Sequence, residues 1–174
     1  LKSAGVSVAE IDCIILATTT PDYTFPSTAT IVQQKLGANN AFSFDIQAVC
    51  AGFVYALSIA YGLMSAGQGK NTLVIGAETF TKLLDWSDRT TCVLFGDGAG
   101  AVVLQSEDSV NGYGIIANTL HSDGRYKDIL YVDGGVSTTG TIGYVKMQGR
   151  DVFRHAVEKL ASAMDEVLKL ANLT

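Results

Sequence analysis

A run without one charged side chain, between Asp45 and Lys70, constrains the fold of this chain most. The run includes the end of a segment with the composition of a strand, 42–48, and the whole of a segment with that of a helix, 51–66. The helical part contains glycines and serines and is shorter than the roughly 20 apolar residues that span a bilayer, so we exclude a transmembrane segment. A helix that is apolar on every side is typical of the buried central helix of a layered domain.

Strands and helices alternate around this run. We predict strands over 11–19, 42–48 and 72–77 and helices over 27–36 and 51–66, with Ser27 as N-cap and Gly37 as the terminator of the first helix. The order β-α-β-α-β predicts an α/β fold in which a mostly parallel sheet is covered by helices on both faces.

The rest of the chain is less regular. The pattern predicts a polar loop over 79–91, strands over 92–95, 101–105 and 114–119, and a long surface excursion over 122–143 that is rich in Gly, Ser, Thr and Asp. An amphipathic helix is predicted over 151–171. Its apolar face consists of Phe153, Ala156, Val157, Leu160, Met164, Val167, Leu168 and Ala171.

Composition excludes several classes of function. A formal net charge of −5 gives no support to binding of nucleic acid or an anionic membrane. The chain is 48% hydrophobic and 17% charged, an apolar excess that predicts surface covered by a second lobe or a partner subunit. Its three cysteines show neither a C-x-x-C pair nor metal-ligand spacing, which argues against disulfides and zinc and favours a cytoplasmic protein.

Cys50 differs from the other two cysteines because it stands at the junction of a predicted strand and a predicted helix. A thiol at a helix start faces backbone N–H groups that stabilise a thiolate, and Gly52 allows a close approach of another backbone or a substrate. The alternative is a buried structural cysteine, which is the interpretation we give to Cys13 and Cys92 within predicted strands. Cys50 is therefore the candidate nucleophile.

Other motifs leave alternatives open. Residues 96–101 fit the G-x-G-x-x-A dinucleotide fingerprint, but a strand is predicted next where that fingerprint requires a helix. His121 and His155 could each serve as a base for Cys50 or have a packing role. Asp85 and Asp88 are expected to brace their loop. Trp86 and Arg89 in that loop could stack on a base and clamp a phosphate, or lie on solvated surface.

Four segments together resemble β-ketoacyl-acyl-carrier-protein synthase III. They are 45–57 (Asp-Ile-Gln-Ala-Val-Cys-Ala-Gly-Phe-Val-Tyr-Ala-Leu), 25–27 (Phe-Pro-Ser), 88–89 (Asp-Arg) and 95–101 (Phe-Gly-Asp-Gly-Ala-Gly-Ala). The resemblance implies a thiolase-like layered fold and a condensing enzyme of fatty-acid synthesis. In such an enzyme Cys50 takes an acyl group from acyl-CoA, and the acyl-enzyme condenses with malonyl-acyl carrier protein as CO₂ leaves.

The resemblance also implies roles for other residues. Arg89 matches an arginine that contacts CoA, and Phe25 is expected to reach into the acyl pocket from the partner subunit of a homodimer. The other residues implied to line that pocket are Phe80, Phe95, Leu130 and Met147. No metal and no cofactor other than the CoA thioester substrate is implied.

The sequence lacks two motifs of the family, a histidine in a Pro-His-Gln-Ala-Asn-like segment and an asparagine in a Gly-Asn segment. We therefore expect the middle portion of a longer enzyme, with an N-terminal lobe over 1–110 that lacks its first strand, and a connecting region with the start of a second lobe over 111–174. One alternative is a dimerising α/β fragment that at most binds or accepts an acyl group. Another is a related enzyme such as hydroxymethylglutaryl-CoA synthase or a plant-type polyketide synthase.

Overall fold

The computed structural model describes residues 1–107 and 114–173, which form two compact units. The first unit contains Leu1–Thr79 and 97–107, and the second contains Phe80–Gly96 and 114–173. The predicted lobe boundary between residues 110 and 111 lies outside the described residues and stays a prediction.

A four-stranded sheet forms the centre of the first unit. Its strands are β1 (Cys13–Ala17), β2 (Phe42–Ile46), β3 (Asn71–Glu78) and β4 (Gly98–Gln105), in the spatial order β2-β1-β3-β4. β1 is parallel to both β2 and β3, whereas β4 is antiparallel to β3. The mostly parallel sheet is thus confirmed, and the antiparallel strand β4 begins within the glycine-rich segment 96–101.

Two helices cover the two faces of this sheet, α1 (Thr28–Leu36) and α2 (Gly52–Ser65). Alternate side chains of a strand point to opposite faces of the sheet. Because a helix covers each face, β1 is buried along its whole length. Ile14 and Leu16 belong to the apolar cluster that contains Ala29 of α1. Cys13 and Ile15 belong to the cluster that contains Ala56 and Ala60 of α2.

Local signals set the ends of α1 as predicted. The Ser27 hydroxyl accepts a hydrogen bond from Thr30 N, and Gly37 ends the helix in the left-handed region at φ 73°. The Asp45 carboxylate of β2 accepts two further bonds of 2.7 Å from the N–H groups of Thr28 and Ala29. These charge-assisted bonds tie the start of α1 to the neighbouring strand.

The expectation that α2 is buried on every side is wrong for this unit. Its buried residues are Gly52, Ala56 and Ala60, one on each successive turn, which allows close contact with the sheet. Val54 and Tyr61 are 49% and 47% exposed. No helix among the described residues is long and apolar enough to cross a membrane.

The second unit contains a two-stranded antiparallel ribbon of β5 (Leu130–Val132) and β6 (Val145–Met147), followed by the long helix α3 (Gly149–Leu170). The predicted helix over 151–171 is confirmed. None of its side chains is fully buried, and its apolar face is largely exposed, with Phe153 at 71% and Leu160 at 65%. One contact of α3 within this unit is made by His155, whose ring centroid lies 4.0 Å from that of Tyr126.

Two strand predictions in the second unit are wrong. Residues 92–94 form turns and Phe95 is in no strand, because the N–H groups of Cys92 and Leu94 bond to carbonyls of Asp88 and Thr91 rather than to a neighbouring strand. The described residues of 114–119 also form no strand. Conversely, the excursion over 122–143 contains β5, which is defined by its pairing with β6.

Candidate active site

Cys50 lies in a single 3₁₀ turn, Val49–Ala51, that connects β2 to α2. The predicted position at a strand-to-helix junction is confirmed, and Cys50 is exposed. The turn follows the carboxyl end of a parallel strand, the edge at which α/β sheets usually bind their ligands.

Two close backbone approaches seat this turn on the sheet. A Cβ atom built on Gly52 would lie 3.1 Å from the Cβ of Ala17, the last residue of β1. A Cβ atom on Gly76 of β3 would lie 3.3 Å from the ring of Phe53. The start of α2 therefore packs closely against the ends of two strands, which fixes where the Cys50 backbone lies.

The residue before Cys50 is strained. Val49 has a φ of 48°, in the left-handed region that β-branched residues rarely adopt. Such a conformation costs about 1–3 kcal/mol and persists only where the surrounding structure enforces it. Strain of this kind clusters at functional sites, so it agrees with a functional role for the Cys50 turn.

Two N–H groups of the turn already have partners. Ala51 N donates to the carbonyl of Ala48 at 3.1 Å, and Gly52 N donates to the carbonyl of Val49. The expectation that the thiol faces unengaged N–H groups at a helix start therefore does not hold for these two donors. A 3₁₀ turn in front of α2 satisfies them locally.

The other cysteines are less accessible than Cys50. Cys13 is fully buried in β1, and burial raises the pKa of its thiol to about 11. Cys92 is half-buried among the turns of the second unit. The structural role predicted for Cys13 agrees with its burial, whereas Cys92 lies in a turn rather than a strand.

Phe25, the other predicted site residue of the first unit, is 83% exposed. It lies in the segment between β1 and α1, where the Asp22 N–H bonds to the hydroxyl of Thr28 at 3.0 Å. An aromatic side chain this exposed has apolar surface available for contact with another molecule.

The second unit brings three of the predicted pocket residues together. Phe80, Phe95 and Leu130 pack against one apolar cluster whose buried members are Leu83, Leu84 and Val145. The rings of Phe80 and Phe95 are 4.9 Å apart. Met147 stands opposite Leu130 in the β5–β6 ribbon.

Arg89 is exposed in the loop between Asp85 and Thr91. Asp85 and Asp88 brace this loop as predicted: Asp85 accepts bonds from the N–H and hydroxyl of Ser87, and Asp88 accepts the equivalent bonds from Thr90. The side-chain hydroxyl bonds, followed by the backbone bonds, hold the pKa of both carboxyl groups below its ordinary value. Trp86 in the same loop is 66% exposed, so its ring is not part of an apolar core.

Two cavities lie near these elements. One of about 330 Å³ is in the second unit, lined by Asp88, Asp128, Tyr131, Lys146, Met147 and Gln148. The larger, about 540 Å³, is in the first unit at the end of α2 and the start of β3. It contains none of the predicted site residues and lies at the sheet edge opposite to the one that Cys50 follows, so we do not assign it to the active site.

The remaining motifs have structural roles within their units. β4 begins at Gly98, so the glycine motif is followed by a strand and not by the helix that a dinucleotide site requires. His121 bonds through Nε2 to the carboxylate of Glu166 at 2.7 Å. The described residues contain no cluster of His, Cys, Asp and Glu that could hold a metal ion.

One cluster at the same sheet edge as Cys50 was not predicted from the sequence. The carboxylate of Glu78, the last residue of β3, accepts hydrogen bonds from Thr18, Thr19 and Thr20, which follow β1. The sequence did contain a signal for this cluster: three threonines follow one parallel strand, and a glutamate ends the strand that pairs with it. Parallel neighbours end at the same edge, so these groups had to meet.

A mixed sheet with a helix on each face and an exposed cysteine at a strand-to-helix turn define a thiolase-like α/β protein. The crystal structure of 3-oxoacyl-[acyl-carrier-protein] synthase III from Aquifex aeolicus superposes with a TM-score of 0.91 at 44% identity, covering 100% of this chain and 54% of that one. The corresponding structure from Pseudomonas aeruginosa gives a TM-score of 0.91 at 38% identity, covering 99% of this chain and 53% of that one.

Sequence comparison points to the same family. Residues 44–124 match the family model of 3-oxoacyl-[acyl-carrier-protein] synthase III. The β-ketoacyl-[acyl-carrier-protein] synthase III of Rhodobacter capsulatus is 59% identical over 100% of this chain and 55% of its own length, and that of Cereibacter sphaeroides is 60% identical over 99% and 54%. The chain matches β-ketoacyl-[acyl-carrier-protein] synthase III sequences over its whole length, and it spans about half the length of these relatives.

Proposed function

We propose that this chain carries the acyl-accepting half of a β-ketoacyl-acyl-carrier-protein synthase III, an acyltransferase of fatty-acid synthesis. The observation that carries the proposal is the position of Cys50: exposed, preceded by a strained residue, and located at the carboxyl edge of a parallel sheet. Relatives at 57–60% identity that are named as this synthase support the same conclusion, and they disfavour a hydroxymethylglutaryl-CoA or polyketide synthase.

The proposed reaction has two steps. The Cys50 thiolate attacks the thioester carbonyl of an acyl-CoA, the carbon–sulfur bond to CoA breaks, and CoA leaves as a thiol after taking up a proton. Malonyl-acyl carrier protein then loses CO₂, and its α-carbon attacks the acyl carbonyl, which releases the Cys50 thiolate and forms the β-ketoacyl product. The Cys50 backbone N–H is our candidate for one donor to the oxyanion of each tetrahedral intermediate.

We assign supporting roles in both units. Arg89 is proposed to contact CoA, for which an exposed, permanently charged guanidinium suits a phosphate group. Phe80, Phe95, Leu130 and Met147 are proposed to line the acyl-chain pocket, and their common apolar surroundings support this assignment for the first three. No metal or separate cofactor is needed, because the activated carbonyl is supplied by the thioester substrate.

We also propose a cytoplasmic homodimer. Two features support a dimer: β2 is an edge strand whose Phe42 is 44% exposed, and Phe25 exposes most of its ring. In this arrangement Phe25 would contribute to the acyl pocket of the partner subunit. The cytoplasmic location rests on three cysteines that are all free thiols.

Acylation tests the proposal directly. The protein is incubated with acetyl-CoA, and the acetyl group is located by peptide mass spectrometry. We expect a thioester on Cys50 that is absent in Cys50→Ala, while Cys13→Ala and Cys92→Ala leave acetylation at Cys50 in place. Acetylation elsewhere, or none on folded protein, would contradict the proposal.

Condensation supplies a second measurement. The family histidine and asparagine motifs do not occur in this sequence, so the acylated chain alone should not form a β-ketoacyl product with malonyl-acyl carrier protein. Product formation by the chain alone would show that condensation does not depend on the family histidine and asparagine.

A further inference from the structure

The carboxylate of Glu78 is the centre of a hydrogen-bond cluster at the sheet edge that Cys50 follows. It accepts bonds from Thr19 N at 2.8 Å, Thr19 Oγ1 at 2.9 Å, Thr20 Oγ1 at 2.7 Å and Thr18 Oγ1 at 3.5 Å. Four donors from three consecutive residues use the full acceptor capacity of a carboxylate. We refer to Glu78 with Thr18, Thr19 and Thr20 as the Glu78 cluster.

The hydroxyl groups of the cluster are themselves fixed. Thr20 Oγ1, which donates to Glu78, accepts the N–H of Thr79 at 2.8 Å. Thr18 Oγ1 accepts the N–H of Thr20 at 3.0 Å. The hydroxyl groups of Thr18 and Thr20 therefore have defined orientations. Neither hydroxyl can rotate away from residue 78 without weakening its bond to a backbone N–H, so a side chain that replaces Glu78 has to accept the same donors.

The segment that Glu78 holds is the one that supports the Cys50 turn. Thr18 N donates to the carbonyl of Ile46, the last residue of β2, at 3.1 Å. Ala17, which precedes Thr18, lies close enough to Gly52 that a Cβ atom on the glycine would be only 3.1 Å from the Cβ of the alanine. Residues 17–18 thus contact the backbone before Cys50 at Ile46 and after it at Gly52. The residues that follow them, Thr19 and Thr20, are bonded to Glu78.

The strain at Val49 makes this support necessary. A φ of 48° at a valine relaxes unless both ends of the turn are held. Residues 17–18 contact the turn at Ile46 on one side and at Gly52 on the other. Loosening residues 18–20 removes one of the constraints that keep Val49, and with it the Cys50 thiol, in place.

We propose that Glu78 is a positioning residue that sets the orientation of the Cys50 thiol through Thr18, Thr19 and Thr20. This inference rests on the proposed acyl transfer to Cys50 and adds a residue to it. Glu78 does not touch the reacting atoms in this role. It accepts four bonds with its carboxylate and thereby fixes the backbone that fixes the turn.

The principal variant is Glu78→Gln. Its amide keeps one acceptor oxygen but turns an N–H₂ donor toward threonine donors, so part of the cluster must break. We expect the saturating rate of Cys50 acetylation by acetyl-CoA to fall about tenfold or more, because misplacement of a reacting group by about 1 Å can cost a hundredfold. The half-saturating acetyl-CoA concentration should change little, since Glu78 is not proposed to bind CoA.

A second pair of variants avoids changing the charge. Thr20→Val removes the hydroxyl that joins Glu78 to Thr79 N with little change of volume, and it should also lower the saturating rate. Thr20→Ser keeps the hydroxyl and should restore it. A merely structural role would lower the free energy of unfolding in Glu78→Gln and Thr20→Val and leave the acetylation rate of their folded fractions at the wild-type value.

Asp12 provides a matched control at the opposite edge of the sheet. Its Oδ2 accepts bonds from Lys70 N at 2.7 Å and Asn71 N at 2.9 Å, so Asp12→Asn weakens a carboxylate brace between the same two strands by replacing a charged acceptor with a neutral one. We expect Asp12→Asn to lower stability without changing the acetylation rate. Equal rate losses in Asp12→Asn and Glu78→Gln would overturn the proposal.

Hydrogen exchange separates this inference from the proposed function. If folded wild-type protein is not acetylated at all, the proposed function fails, and the exchange rates of the Ala51 and Gly52 amides decide the inference. Faster exchange of these two amides in Glu78→Gln than in wild type or Asp12→Asn supports it. Unchanged exchange overturns it, and so does an unchanged acetylation rate in Glu78→Gln where the wild type is acetylated.

Discussion

Gly52 lies so close to Ala17 that a Cβ atom on the glycine would be 3.1 Å from the Cβ of the alanine. Ala17 is the last residue of β1, and Gly52 is the first residue of α2, two positions after Cys50. The substitution Gly52→Ala should therefore push the turn away from the strand. We expect Cys50 acetylation to slow by about tenfold to a hundredfold.

Stability should respond less than the rate in Gly52→Ala. Overpacking costs about 1–3 kcal/mol, and the higher helix propensity of alanine offsets about 1 kcal/mol of it. Gly62→Ala on the same helix is the control, because nothing lies within 4 Å of a Cβ atom there. It should raise the free energy of unfolding in urea by about 1 kcal/mol and leave acetylation unchanged. A wild-type acetylation rate in Gly52→Ala would show that the contact does not position Cys50.

The strain at Val49 predicts that a smaller residue stabilises the chain. Val49→Gly removes a backbone cost of about 1–3 kcal/mol and adds an entropic cost of roughly 0.5–1 kcal/mol. The net effect expected from urea unfolding is a stabilisation of up to about 2.5 kcal/mol. Val54 has the same 49% exposure but lies within α2, so Val54→Gly should instead destabilise, by about 0.3 kcal/mol from helix propensity and further from the loss of its half-buried side chain. Destabilisation by both substitutions would mean that Val49 carries no strain.

Sequence reasoning succeeded where a local signal determines the structure. Ser27 caps α1 and Gly37 ends it because capping depends on atoms within a few residues. Cys50 could be placed at its junction for the same reason, since strand and helix patterns meet there. The alternation of elements then fixed the parallel pairing of β1 with β2 and β3.

The incorrect predictions depend on partners distant in sequence. Residues 92–95 have an apolar composition typical of a strand, but a strand needs a neighbour, and here the amides bond locally. β5 has only three residues and exists through its pairing with β6, thirteen or more positions away. The bonds from Thr19 to Glu78 join residues 59 positions apart, a distance over which no local pattern is informative.

Burial distinguishes the three thiols and predicts selective alkylation. The pKa of Cys13 is raised to about 11 by burial, so near pH 8 only on the order of one thousandth of it is thiolate, and that fraction is enclosed by the sheet and α2. Iodoacetamide added to the native protein should modify Cys50 first and leave Cys13 unmodified. Peptide mass spectrometry over time measures the order, and addition of urea should make Cys13 reactive. Early labelling of Cys13 would show that β1 is accessible in the native state.

The carboxylate of Glu166 on α3 predicts how part of the second unit responds to acid. Its Oε1 accepts a bond from Thr119 at 2.8 Å, and its Oε2 pairs with His121 Nε2 at 2.7 Å. The hydroxyl bond of Thr119, followed by the bond from His121, holds the pKa of Glu166 below its ordinary value near 4.5. A pKa that is lower in the folded than in the unfolded chain means that folding favours the ionised form.

The stabilisation from Glu166 is therefore fully present above pH 4.5 and is lost as the pH falls below this value toward the folded-state pKa. We expect Glu166→Gln to be less stable than wild type at neutral pH, with a small difference because the pair is exposed. The difference should shrink as the pH falls below about 4.5 in urea unfolding curves. Glu158→Gln, which removes one carboxylate from an exposed position on the same helix, is the control for the loss of a negative charge on α3. A constant difference between wild type and Glu166→Gln from neutral to acid pH would show that the contacts of Thr119 and His121 do not favour the ionised carboxylate.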